Sequence, residues 1–539
     1  MIDDLRTLPA GTTIAADLCL IGGGAAGITI ARELAGSKVR VCLVEGGGFE
    51  YEEETQALYD GRSSGAPVAL QGGRLRLLGG STHHWGGRCA QLEELDLRRR
   101  DWVPHSGWPL RRAELEPYYV RARTMAGFAA PWLTDAATLG ALGVTLPGIN
   151  EQWLRPFLWR YTPASPGSGA WDFATAYRPA LQLAGNVQVL LHANFKAFAA
   201  TDDRSRVHAL TVGALGGPSA TILARDYVLC CGGIENARLL LLGAEQNGGG
   251  FGNAHDNVGR FFMQHTRGPT GVLQSDGRLT RLQGQFNILR GADGLQTEVG
   301  LALAPALQEA EGLLNASAAL QYLGDPDSGI AAAQDIWRAL LDGHWAQDMG
   351  EKTAHIAADA GELARAVRHR LAAGHSLSAE GAEGVPSRSA SIVLDLEQAP
   401  DPQSRITLDT ERDAMGLRRV RADWRLGELE RRTAARFTSL IGAEFARLGI
   451  ARCRLEPWLQ DQRAPLTDAM KETYHHIGTT RMADDPRDGV VDRNGAVHGM
   501  RNLYVAGSSI FPTGGQANPT LTIVALALRL ADRLRPAAS

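Results

Sequence analysis

The sequence has few cysteines, and none is placed for redox or haem chemistry. Cys19, Cys42, Cys89, Cys230, Cys231 and Cys453 form no C-x-x-C pair and no C-x-x-C-H haem site, so no cysteine metal centre and no haem is expected. Cys19, Cys42 and Cys230 lie in apolar strand-like runs and read as buried free thiols, which suits a reducing cytoplasm. Neither sign of charge dominates: 55 Lys and Arg stand against 59 Asp and Glu. That leaves no electrostatic footprint for nucleic acid or an anionic membrane surface. No apolar run approaches the ~20 residues that span a bilayer. The first strand is expected from about Ala16, which leaves no room for a signal peptide or twin-arginine leader. There is no internal repeat.

What is abundant is glycine, with 63 of 539 residues, well above the usual ~7%. Much of the surplus sits in Gly-Gly clusters, as expected where backbone approaches a ligand. The length exceeds what one hydrophobic core serves, so two domains are expected.

The first cluster has a specific mechanism. The apolar run Asp17 to Ile21 is followed by Gly22-Gly23-Gly24-Ala25-Ala26-Gly27, a helical pattern from Ile28 to Leu34, and a second apolar run, Val39 to Val44, closed by Glu45. This is strand, G-x-G-x-x-G turn, helix, strand and acid. Gly22 permits the tight turn, Gly24 lets backbone reach a pyrophosphate, and Gly27 lets helix and strand pack. Phosphates would face the helix N-terminus, and Glu45 would accept hydrogen bonds from a ribose diol. The motif does not separate FAD from NAD.

A second cluster, Leu77-Leu78-Gly79-Gly80-Ser81-Thr82-His83-His84-Trp85-Gly86-Gly87-Arg88, cannot be a regular helix or strand interior and suits a loop laid against a flat ligand. A third, Tyr227 to Asn236 around Gly232-Gly233, again reads strand, double glycine, helix, with the helix over Ala237 to Leu242. Arg98 to Ala126 is charged and helix-like, interrupted by turns at Trp102-Val103-Pro104 and Trp108-Pro109. Residues 127–180 read as a loop-heavy cap. Val258 to His265 is a turn into an aromatic segment. Strands are expected at 187–191, 207–212, 271–273, 297–301, 389–396, 405–408 and 418–424, with a helix from Glu428 to Leu448. Two charged helices are expected over about 329–373, striped by Ile330, Ile336, Leu340 and Leu341, then by Ile356, Leu363, Ala366 and Val367. They read as a packed insertion rather than a membrane anchor.

The C-terminal stretch holds polar groups in unusual places. It reads Tyr474-His475-His476-Ile477-Gly478-Thr479-Thr480-Arg481-Met482, then Val505-Ala506-Gly507-Ser508, then Ala517-Asn518-Pro519-Thr520-Leu521-Thr522 before an apolar helix. For Asn518 the structural alternative is an N-cap ahead of proline at the first helical position.

With Thr82-x-His84-Trp85, Tyr474-His475-x-x-Gly478-Thr479-x-Arg481-Met482 and Ala517 to Thr522 in hand, the chain resembles the glucose–methanol–choline (GMC) flavin oxidoreductases. The likeness spans most of the chain and is strongest over 17–45, 77–90, 227–265 and 474–530. Its flavour is that of the pyranose-oxidase and bacterial sugar-dehydrogenase branch. The resemblance implies an α/β fold: a Rossmann-like FAD-binding domain assembled from 1–95, 181–266 and 470–539, and an α+β substrate domain with an antiparallel sheet from 96–180 and 267–469, an architecture also seen in p-hydroxybenzoate hydroxylase.

It further implies FAD as cofactor, with oxidation of a sugar, glycoside or polyol hydroxyl by hydride transfer to flavin N5. The catalytic residues it points to are His475 as base and Asn518 as orienting amide, with His476 turned away. A neutral imidazole suits removal of a hydroxyl proton near pH 7. Asn518 can donate to the developing alkoxide. Cofactor contacts are expected from Gly22, Gly24, Gly27, Glu45, Gly79, Ser81, His84, Trp85, Gly86, Gly87, Gly232, Gly507, Ser508, Asn518, Pro519 and Thr520.

In fungal pyranose oxidases the histidine of this T-H-W segment carries the flavin covalently. It aligns with His84, but His83 intervenes after Thr82, and non-covalent FAD is expected. The electron acceptor would be oxygen, a quinone or a partner redox protein. Two rival readings are the same chemistry on a non-sugar alcohol (a sterol, an aromatic alcohol or a biosynthetic intermediate) and a non-redox lyase of the same family.

Overall fold

The apolar run Asp17 to Ile21 is hydrophobic on both faces because it lies inside a parallel sheet. In the computed structural model, which describes residues 1–129, 132–165, 169–323, 328–341, 348–361, 364, 387–461 and 463–535, the strand Thr12–Ile21 is flanked by Val41–Val44 on one side and Ser219–Leu229 on the other, both parallel to it. Val187–Leu191 and Ile2–Asp4 extend the first edge in parallel. On the far side, Ser219–Leu229 pairs antiparallel with Val207–Gly213 near its start and parallel with Leu503–Val505 near its end. Asn194–Ala200 completes that edge. The helices Ala25–Leu34, Arg112–Met125 and Thr520–Leu534 pack together in one layer. Leu18, Cys19, Leu20, Leu43, Val44 and Val505 are almost wholly buried between the layers.

The second sheet is antiparallel. Its order is Arg452–Leu455, Thr266–Gln274, Ser389–Leu396, Ala316–Leu323, Gln296–Leu303, Leu154–Tyr161, Arg88–Cys89. The helix Glu428–Arg447 buries Phe437, Leu440, Ile441 and Phe445 in a core shared with Leu273, Ile392 and Leu394 of this sheet. A three-stranded sheet joins Arg405–Arg412, Arg418–Trp424 and Gly61–Gly65.

Several elements differ from the sequence reading. The helix expected across 98–126 forms only over Arg112–Met125, because the prolines at 104 and 109 hold the preceding segment in turns. The cap expected at 127–180 contains a full strand of the second sheet, Leu154–Tyr161, and a helix, Phe173–Leu183. Pro156 disguises that strand. It pairs with Leu301 on one side, while the short neighbour Arg88–Cys89 reaches only Tyr161 and Arg160 on the other. Pro156 therefore sits on an edge where its missing N–H costs nothing. Arg88–Cys89 itself belongs to the antiparallel sheet, although it lies within the expected cofactor segment 1–95. The helix after Gly232 runs over Gly232–Gln246, longer than expected. The expected insertion is present as helices Gly329–Leu341 and Met349–Ala358; Leu363, Ala366 and Val367 lie outside the described residues. Among the described residues, no helix is long and apolar enough to cross a membrane.

One buried ion pair holds three parts of the chain together. The Arg100 guanidinium donates to both Glu397 oxygens at 2.7 and 2.5 Å, with both side chains fully shielded. Glu397 also accepts from the Asn315 N–H at 2.9 Å and from the Gly515 N–H at 3.3 Å. Replacing Glu397 with alanine leaves Arg100 an uncompensated buried charge, which costs about 3–5 kcal/mol. A urea titration of Glu397→Ala should show a clearly lowered midpoint; an unchanged midpoint would remove this pair from the stability argument.

Candidate active site

The two sheets meet at a cavity of about 660 Å³. One end is built by the turn after Thr12–Ile21. Gly22 has φ +108°, and a Cβ on Gly27 would stand 2.0 Å from the Gly22 carbonyl oxygen, so the helix Ala25–Leu34 can approach only because Gly27 has none. Gly24 is the N-cap of that helix with no side-chain cap, and a Cβ there would touch no protein atom. The leading N–H groups and the positive end of the helix dipole thus face open cavity, an anion site by construction. Beside it, the Glu45 carboxylate accepts from Gly23 N–H at 2.8 Å and Gly47 N–H at 3.0 Å. Burial pushes its pKa up against the pull of these donors.

Of the residues expected to contact the cofactor, Gly22, Gly24, Glu45, Ser81, His84, Trp85, Gly86, Gly232, Gly507, Ser508, Asn518, Pro519 and Thr520 line the cavity. Gly27, Gly79 and Gly87 lie behind its wall. A Cβ on Gly79 would collide with the His83 ring, and one on Gly87 with Thr162 Oγ1. These two glycines allow the loop to pack. The two adjacent histidines are separated by their partners. His83 Nε2 lies 2.7 Å from the Leu78 carbonyl and its Nδ1 3.3 Å from Asp172, so His83 staples the loop. His84 faces the cavity, with its pKa lowered by burial.

The other end of the cavity carries the C-terminal stretch. His475 and Asn518 come from separate loops, and Asn518 Nδ2 donates toward His475 Nε2 at 3.5 Å, the outer edge of hydrogen bonding. Asn518 is not a helix cap: Pro519 takes the N-cap position of Thr520–Leu534 without a side-chain cap, so the Asn518 amide is directed at His475 and the helix N-terminus opens on the cavity. Although the His475 ring is open to the cavity, the protein packed around it holds its pKa well below 6.5; nearby His265 pushes the same way, and Asp395 opposes.

His476, expected to turn away, borders the cavity. Its ring stacks on Phe262 at 5.8 Å, its Nε2 has no hydrogen-bond partner among the described residues, and burial pushes its pKa down to about 3. Arg74 Nη1, on the same wall, makes no hydrogen bond among the described residues and stands 4.0 Å from Glu235. An orphaned imidazole nitrogen, an underused guanidinium and two uncapped helix N-termini on one cavity match a long ligand with a phosphate centre and a polar ring edge.

The sequence reading missed His265. Its Nδ1 lies 2.8 Å from His475 Nδ1, and the ring is 2% exposed. The backbone places it there: Met263 N–H donates to the Ile477 carbonyl at 3.0 Å and Ile477 N–H to the Met263 carbonyl at 2.9 Å, an antiparallel pair that sets residue 265 against 475. Thr473 Oγ1 also reaches His475 Nδ1 at 3.0 Å. The only sequence signal was a histidine directly before the strand Thr266–Gln274.

Comparison with known proteins gives this arrangement a family. Residues 400–527 match the family model described as GMC oxidoreductase. The C-terminal part of the chain is thus similar to the GMC oxidoreductases. It is 25% identical over 579 aligned positions to 2-methyl-1,2-propanediol dehydrogenase of Mycolicibacterium austroafricanum, covering 96% of this chain and 94% of that one. It is 26% identical over 337 positions to the fructose dehydrogenase large subunit of Gluconobacter japonicus, covering 62% of this chain and about half of that one, 51%. Among solved structures, a formate oxidase variant from Aspergillus oryzae superposes with a TM-score of 0.55 at 17% identity over 98% of this chain and 99% of that one, which shows the shared fold. These likenesses support an FAD-dependent enzyme acting on CH–OH groups, and the cavity fits that cofactor.

The buried histidines have a consequence for stability. His265, His475 and His476 all have pKa values lowered chiefly by burial, so they stay neutral in the fold at pH values where an unfolded histidine, near 6.5, takes a proton. Their burial costs nothing from ionisation above 6.5. Below it the unfolded state gains protons that the fold refuses, at about 1.4 kcal/mol per pH unit for each such group. The melting temperature should hold between pH 8 and 7 and fall between 6.5 and 5, before carboxylates titrate. A flat profile across that window would contradict neutral burial.

Proposed function

We propose that the protein oxidises a hydroxyl group of a sugar, glycoside or polyol to a carbonyl, with His475 as base and Asn518 as the amide that holds the substrate oxygen. The observation that carries this reading is the convergence of His475 Nε2 and Asn518 Nδ2, 3.5 Å apart, at one end of the cavity whose other end is the Gly22–Gly27 turn and Glu45. Segments 1–95, 181–266 and 470–539 would hold FAD, and 96–180 and 267–469 the substrate, with Arg88–Cys89 crossing to the substrate side. When bound, the flavin supplies the hydride acceptor.

The chain's residues supply the rest. A substrate hydroxyl beside His475 Nε2 gives up its proton to a neutral imidazole, which burial keeps available. Asn518 Nδ2–H donates to the same oxygen and strengthens its hold as alkoxide charge develops. Asn518 has no proton to lose, so it cannot compete with the base. Glu45, Gly24 and the uncapped N-terminus of Ala25–Leu34 suit the ribose and pyrophosphate, and the N-terminus of Thr520–Leu534 suits the flavin's electron-rich edge. Non-covalent FAD remains our reading at His84.

The wall beside His475 supports a neutral, hydroxyl-rich substrate. Arg88, Tyr161, Arg267, Lys471 and Glu472 line it. Arg267 donates to Asp395 at 2.6 and 3.1 Å, Arg88 donates to the same carboxylate and to Glu298 at 2.8 Å, and Tyr161 donates to Glu298 at 2.8 Å. An anionic substrate would have to compete with Asp395 for Arg267, whereas hydroxyls can join the edges of a satisfied network. The fructose-named and diol-named relatives agree with this class.

Anaerobic mixing with sugars, glycosides, diols and simple alcohols, followed by air or a quinone, tests substrate and acceptor together. Hydroxyl-rich compounds should bleach the flavin. His475→Ala should keep the flavin but reduce it ~10²–10⁴-fold more slowly, and Asn518→Ala about 10²-fold more slowly. Bleaching of His475→Ala at the parent's rate would refute the assignment of the base. Acid precipitation should leave a colourless pellet and a yellow supernatant; a yellow pellet would overturn non-covalent FAD.

A further inference from the structure

We infer that His265 is the positioning residue that fixes His475 in the Nδ1–H tautomer and so leaves Nε2 bare toward the substrate. The inference rests on the reading of His475 as base.

At one end of the chain of contacts the hydrogen has a single possible place. His265 Nε2 lies 2.8 Å from the Gly515 carbonyl oxygen, with the Gly514 carbonyl at 3.4 Å. A carbonyl only accepts, so His265 Nε2 carries the hydrogen. The ring is 2% exposed and its neutral form is favoured by burial, so its Nδ1 is bare. That bare nitrogen lies 2.8 Å from His475 Nδ1. Two bare nitrogens at that distance would repel, so His475 Nδ1 carries a hydrogen and donates it.

Thr473 gives the same answer independently. Its hydroxyl donates to the His265 carbonyl at 2.9 Å, which turns oxygen lone pairs toward His475 Nδ1 at 3.0 Å. At the opposite nitrogen, Asn518 presents a donor, as a bare Nε2 requires. The other arrangement, with a charged His265 donating to a bare His475 Nδ1, would need a buried cation and would leave Nε2 protonated and unable to act.

The acceptor is itself held in place. The Gly515 N–H donates to Glu397 at 3.3 Å, and a Cβ on Gly515 would stand 2.6 Å from Asp96. The Gly515 carbonyl therefore stays aimed at His265. In the reaction, the hydroxyl proton passes to His475 Nε2 while the Nδ1–H bond stays intact, so the imidazolium is donor-satisfied at Nδ1 as it forms. This is how a partner at one histidine nitrogen sets the chemistry of the other.

The test uses ¹⁵N-histidine-labelled holoenzyme and anaerobic reduction. In the parent, the His475 signals, identified by their loss in His475→Ala, should show the bare nitrogen at Nε2. A protonated Nε2 in the resting enzyme would overturn the inference without any further variant. His265→Leu, which leaves only the Thr473 hydroxyl to hold the Nδ1 hydrogen, should move part of the bare nitrogen to Nδ1 and slow the limiting rate of flavin reduction about 10-fold, with the substrate dissociation constant and flavin content near the parent's. His265→Asn, which can offer an oxygen acceptor near the lost Nδ1, should recover most of that rate. Parent-like reduction in His265→Leu with Nε2 still bare would also overturn it. Loss of flavin or of substrate affinity in both variants, with no selective effect on the limiting rate, would assign His265 a structural role instead. Parent-like reduction by His475→Ala is the separate result that would fail the base itself.

Discussion

The active-site cavity depends on a single short stretch of backbone pairing. Met263 and Ile477 exchange two N–H to C=O hydrogen bonds, and His265 and His475 are set against each other by them. Immediately after Met263 the chain enters the antiparallel sheet at Thr266–Gln274. Immediately after Ile477 it runs along the end of the parallel sheet, where Gly478, Thr480 and Met482 donate to the Ser508, Ser509 and Ile510 carbonyls. The pairing is thus the seam between the two sheets. It also explains the glycine at 478: its φ is +91°, and a Cβ there would stand 2.2 Å from the Phe261 carbonyl oxygen. A side chain at that position would part the seam.

Around this seam, the side chains that touch His475 are neutral: the His265 imidazole, the Thr473 hydroxyl and the Asn518 amide. The buried carboxylates behind them are paired with guanidinium groups. Asp395 is held well below the usual carboxylate range by Arg88 and Arg267 despite its burial, and Glu397 is held down by Arg100. The balance at His475 follows. Asp395 favours its protonated form, Arg267 and His265 disfavour it, and burial decides in favour of the neutral ring. Pairing each carboxylate with a guanidinium keeps its field from charging the His475 ring across a low-dielectric interior.

The sequence revealed local motifs well and long-range partners poorly. The Gly22–Gly27 turn, Glu45 and the strands at 389–396 and 418–424 were legible because each follows from local rules: period, glycine spacing or an acid at a strand end. The cavity-lining positions from His84 to Thr520 were legible through the family resemblance instead. Three features were not. The strand Leu154–Tyr161 carries a proline that only its edge position excuses. Gly79 and Gly87 are packed close against His83 and Thr162, which residue type alone does not reveal. His265 owes its place to a backbone pair whose two halves lie far apart in sequence, and no periodicity marks such a pairing. The doublets show the same limit: partners through space, not motif position, decide that His83 staples while His84 faces the cavity, and that His476 borders the cavity rather than turning from it.

The choice of asparagine at 518 follows from the same neutral surroundings. The proposed reaction needs a donor to the substrate oxygen beside the base, and a histidine could serve in isolation. Here His475 already has His265 within 2.8 Å and His476 adjacent in sequence. Another imidazole would add a fourth titratable ring around one proton, and protonation of any would disfavour protonation of the others. An amide donates without titrating, so proton acceptance stays on one atom. The uncapped N-terminus of Thr520–Leu534 follows from this arrangement. Because the Asn518 side chain is directed at His475, it cannot turn back to satisfy the helix, and the leading N–H groups remain directed at the cofactor cavity. One residue's orientation thus couples the substrate end of the site to the electrostatics of the flavin end.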